Sequence, residues 1–121
     1  MAKHNRIYWM NREIQKINDE IEELTVLSAA SMNGTPHSNS VSSPVERFYD
    51  RLEKLKSRLD MLETKRDEEK ERVEQFINSI DDEEIRVLAK ERLVECWTWQ
   101  RIADNHCMER TTAYKKLKPY I

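Results

Sequence analysis

The chain has 121 residues, of which 36% are charged and 7% aromatic, with one glycine and three prolines. So many charges with so few helix breakers favour long amphipathic helices over a sheet fold. The lack of any apolar run of about 18 residues excludes a membrane-spanning helix. The net charge of −2 is spread unevenly. Residues 1–84 hold 13 Lys and Arg against 19 Asp and Glu, whereas residues 85–121 hold 8 against 4. An acidic body with a basic end suits a protein that meets a polyanion through its C-terminus. No secretory signal is expected at the N-terminus, and no disulfide framework is expected from Cys96 and Cys107. A cytoplasmic protein with free thiols is expected.

From Ile7 the apolar residues fall at Ile7, Met10, Ile14, Ile17, Ile21 and Leu24. That spacing is a heptad seam and predicts a helix over about 5–28. Residues 28–44 are small, polar and contain the only glycine and two of the prolines; they read as a flexible linker. The linker ends on Ser43-Pro44-Val45-Glu46, a capping box with proline in the first helical position.

A second seam follows at Val45, Phe48, Leu52, Leu55, Leu59 and Leu62. It turns polar at Arg66 and Glu69 and resumes at Val73, Phe76 and Ile80. An antiparallel, coiled-coil-like hairpin explains the interruption. With Leu24 beside Val45 and Ile7 beside Leu62, the first helix ends near the polar heptad, and the C-terminal helices cover the resumed seam. Self-association of the long helix is the competing account.

Asp81-Asp82-Glu83-Glu84 is an acidic start for the next helix, favourable to its dipole. Ile85, Leu88, Ala89, Arg92 and Leu93 make its inward face. Thr98 then caps a short helix through about Asn105, with Ile102 and Ala103 inward. His106-Cys107-Met108 forms a turn, and residues 109–118 form a last helix with Ala113 and Leu117 inward, stopped by Pro119. Trp97 and Trp99 read as packing residues.

Two short helices about a tight turn, the second of them basic, read as a helix-turn-helix made to enter a DNA major groove. The expected fold is therefore all-α: a helical hairpin over 1–80 and a DNA-binding helix-turn-helix over 81–121. Arg110 can bond guanine bidentately, and Thr111 and Thr112 can offer hydroxyl or methyl contacts to bases. Arg110 and Thr112 are the expected base readers. Thr98, Gln100, Lys115, Lys116 and Lys118 are the expected phosphate contacts, and Tyr114 completes the candidate surface. Cys96, His106 and Cys107 are three ligand-type residues without paired C-x-x-C spacing, so no metal site is expected. No triad, phosphate-cradling glycine loop or pocketed acid pair is visible. No enzyme activity and no cofactor are expected.

From Leu93 to Leu117 the chain resembles the C-terminal helix-turn-helix of phage late-transcription regulators of the ArpU/RinA type, which is similar in turn to region 4 of sigma factors. Thr98, Trp99, Ile102, Ala103, Arg110, Thr111, Thr112, Tyr114 and Lys115 match that pattern in place. The upstream layout of charged helix, polar linker and long second helix is also similar. The resemblance implies a phage or prophage regulator in a bacterial host cell, binding double-stranded DNA to activate late genes, with RNA polymerase as a further partner. A homodimer is expected, because one such module makes few base contacts.

The chain departs from the pattern at four places. Many relatives carry glycine where this chain has Cys96 and Cys107; a left-handed backbone at either position costs a cysteine about 1 kcal/mol or more. Glu109 stands where Ser or Thr usually caps the last helix, and Lys116 stands at an apolar position. The alternative functions are a small terminase subunit for DNA packaging, and a coiled-coil scaffold or inhibitor that binds another protein.

Overall fold

The computed structural model describes residues 5–32 and 44–121. All regular structure among them is helical: α1 (Arg6–Met32), α2 (Pro44–Asn78), α3 (Glu83–Ala89), α4 (Trp99–Asn105) and α5 (Arg110–Leu117). A π-helical turn (Lys90–Val94) extends α3, and one 3-10 turn (Lys118–Tyr120) containing Pro119 follows α5. None of the described helices is long and apolar enough to cross a membrane.

α1 runs past the expected linker boundary at 28, to Met32. Ser28-Ala29-Ala30-Ser31-Met32 contains no breaker, and alanine is the strongest helix former. Gly34 and Pro36 lie beyond it. Residues 33–43 of the expected linker, with Ser43 of the expected capping box, fall outside the described residues, and Pro44 opens α2.

The chain divides into two compact units. One is Arg12–Lys65, from α1 and α2. Its core is small: Ile14, Ile17 and Leu62 are buried, with Ile21, Leu55 and Leu59 packed against them. Arg58 donates to the Glu13 carboxylate at 2.9 Å on its surface. The six packing residues are expected seam residues, whereas Val45 at the start of the second seam is exposed, and the register differs. Leu62, expected beside Ile7, packs with Ile14 and Ile17, one heptad further along α1. A heptad seam looks the same after a seven-residue slip, so periodicity alone leaves the register open.

The other unit combines the chain up to Asn11 with Arg66–Ile121. The expected domain boundary at 80/81 lies inside it. Here Arg6 faces Glu69 at 4.0 Å, and Arg66 donates to the Asn11 side chain at 3.4 Å. The polar heptad of α2 thus meets polar partners on the first turns of α1. Asn5 acts twice. Its Oδ1 accepts from the Tyr8 N–H at 3.3 Å, capping α1, and its Nδ2 donates to the Leu93 carbonyl of the π-helical turn at 2.6 Å.

The core of this unit gathers Ile77 and Ile80 of the α2 end, Ile85, Leu88 and Ala89 of α3, Val94, Trp99 and Ile102 around α4, and Ala113 and Leu117 of α5. The C-terminal helices do cover the resumed seam, with one exchange. Ile77 is buried and Phe76, expected inward, is 44% exposed. Steps of three and of four both return to one helix face, and both offered an apolar residue here. Asp82 caps α3, its carboxylate accepting from the Glu84 and Ile85 N–H groups.

Ile102 has no exposed surface. Ile102→Ala is expected to lower the unfolding free energy by about 2–5 kcal/mol, read as an earlier urea midpoint at unchanged slope.

Candidate nucleic-acid interface

α4 starts where Thr98 turns extended and its hydroxyl accepts from the Arg101 N–H at 3.1 Å, as a threonine N-cap does. It ends with His106 as the capping residue and Cys107 left-handed at φ 53°. The Met108 N–H reaches back to the Ala103 carbonyl at 2.9 Å, and the Cys107 N–H to the Asp104 carbonyl at 3.4 Å. Those two bonds define a Schellman ending, whose left-handed position glycine usually fills. The π-helical turn stops in a related way. Cys96 has φ 61°, and the Trp97 N–H closes on the Glu91 carbonyl at 2.9 Å. Cys96 and Cys107 therefore both adopt the conformation that glycine tolerates best.

The π-helical turn also buries two charged side chains, Glu91 and Arg92. Glu91 holds the end of α4: one oxygen accepts from Asn105 Nδ2 at 3.0 Å and the other lies 2.5 Å from His106 Nε2. Arg92 donates to the Trp97 carbonyl at 2.9 Å, and its guanidinium lies 4.5 Å from the Trp99 ring centre. Burial pushes the Arg92 guanidinium below its ordinary value, opposed by Cys96. Nothing in the spacing of Glu91, Asn105 and His106 announced this bracket, because it joins separate elements.

α5 begins after Glu109, which sits at the cap position without a side-chain capping bond. Ala113 and Leu117 are fully buried. At about 100° per residue, the side opposite them carries Lys115, with Thr111 and Lys118 beside it. All three are exposed, as is Arg110 on the first turn. Thr112 is half-buried. Tyr114 is half-buried too, its ring edge-on to Trp99 at 5.3 Å, with the Lys118 ammonium 5.8 Å from its centre. Tyr114 is thus a packing residue with one face outward.

Two expected phosphate contacts already have partners. Lys116 leans to α3, its ammonium 2.5 Å from the Glu84 carboxylate. The Gln100 amide donates to Asp104 at 2.8 Å. Thr98 is exposed, and its oxygen serves the cap. Arg101, absent from the expected set, lies on the Trp97 ring 3.9 Å from its centre. No helix-spacing rule announced this contact, because Trp97 precedes the Thr98 cap and lies outside α4. Among the described residues no group of three His, Cys, Asp or Glu side chains could hold a metal ion. No protein family, curated protein or solved structure matches the chain.

Cys107→Gly is expected to stabilise the fold by up to about 1 kcal/mol, and Cys107→Val to destabilise it, since only glycine escapes the Cβ penalty at positive φ. Urea melts of the two variants check this. The thiols are also expected to react unequally. Cys107 is exposed, while burial pushes the Cys96 thiol up against the opposing pull of Asn11 and Arg92. A thiol reagent at neutral pH labels Cys107 first, read by mass spectrometry.

Proposed function

We propose that the protein is a phage or prophage transcription regulator that binds duplex DNA through α4 and α5 and activates late genes. The observation that carries this reading is the outward row Thr111 and Lys115 on α5, continued by Lys118 at its C-cap, opposite Ala113 and Leu117, which are fully buried. A short helix anchored on one side and basic on the other has the form of a recognition helix in a major groove. In this reading Arg110 and Thr112, on the first turn, reach base edges. Lys115 and Lys118 meet phosphates, and Thr98 donates its free hydroxyl proton to a third. Lys116 and Gln100 join only by exchanging Glu84 and Asp104 for phosphate. RNA polymerase is the partner through which DNA binding becomes activation.

Duplexes selected from random sequence, titrated at several salt concentrations, test the assignment. Lys115→Ala is expected to weaken binding on every sequence and to reduce the salt slope by about one. Arg110→Ala is expected to cost about 1–3 kcal/mol on the selected site and far less on others. Unaltered binding in both variants removes these residues from the interface.

A further inference from the structure

Among the described residues, the Arg12–Lys65 unit leaves several large apolar side chains exposed. Val45, Tyr49 and Met61 are exposed, Tyr49 at 57%, and Leu52 is only half-buried. A shallow groove runs along α2, lined by Tyr49, Leu52, Glu53, Lys56, Ser57 and Asp60. At about 100° per residue these six share one flank of α2, turned roughly a third of a circle from the side where Leu55, Leu59 and Leu62 meet α1. Among the described residues none of Glu53, Lys56 and Asp60 forms an ion pair.

The order of residues in the groove is self-complementary. Reversing α2 about the Lys54–Leu55 bond lays Glu53 opposite Lys56, Tyr49 opposite Asp60, and Leu52 opposite Ser57. Each pair recurs on the far side of the axis, as a two-fold interface requires. Acid meets base, a phenol meets a carboxylate, and a large side chain meets a small one. The like-charged Arg51 and Arg58, which the same reversal also pairs, lie on the opposite flank. We propose that this flank of α2 is the contact with a second copy of the chain, the two α2 helices running antiparallel. A hairpin provides each helix with one neighbour; pairing two hairpins builds a four-helix bundle and covers Tyr49 and Leu52.

The test is the mass of the full chain by sedimentation equilibrium, without DNA, so its outcome is independent of the function proposed above. The wild type is expected to approach about twice the 14.6 kDa chain mass as concentration rises. Glu53→Lys and Lys56→Glu alone each place like charges across the axis twice, and each is expected to weaken association at least about tenfold. An equimolar mixture of the two single variants pairs opposite charges at both contacts and is expected to recover the dimer, which misfolded chains could not do. A monomer at every concentration, a larger ring, a dimer indifferent to both substitutions, or a mixture that stays monomeric overturns the proposal.

Discussion

Ala113 and Leu117 lie fully buried beneath α5, and every outward residue of that helix takes its direction from them. The helix is eight residues long, too short to hold its shape unaided. Its stability comes from packing on α3 and α4, where Leu88, Ile102 and Ala103 are equally inaccessible. The small side chains of Ala103 and Ala113 leave room for α4 and α5 to approach. Turning α5 about its axis would bury Lys115 and expose Leu117, at a cost the apolar core does not allow.

The polar parts of the same unit fix what the apolar parts leave loose. Glu91 grips Asn105 and His106, so the end of α4 and the start of the turn are tied to the element before them. Arg92 ties the Trp97 carbonyl and lies against Trp99. Two helix ends close on left-handed cysteines, each a local strain that the surrounding core sustains. These features converge on the segment from Trp97 to Met108, which sets the angle at which α5 leaves the turn.

Much of this was legible in the amino-acid order. The seam of α1, the Thr98 cap and the inward quartet Ile102, Ala103, Ala113 and Leu117 follow from periodicity and capping chemistry, and each stands in its expected role. The register between α1 and α2 was not legible, because a heptad repeat is blind to a heptad slip. Phe76 and Ile77 compete for one face, and only the packed helices choose between them. Of the candidate surface, the exposure of the basic residues of α5 was legible. The engagement of Lys116 by Glu84 and of Gln100 by Asp104 was less so: the first joins separate helices, and the second is one of several partners open to an exposed amide. The left-handed backbone at Cys96 and Cys107 was signalled only through the expected resemblance, in which glycine takes those two places.

Amide chemical shifts of the labelled chain during titration with a short DNA duplex test the central claim most directly. The account predicts that the largest changes fall on the amides from Thr98 to Gln100 and from Arg110 to Lys118, and that they fade as salt is raised. Changes centred on α2, or none at low salt, would contradict it.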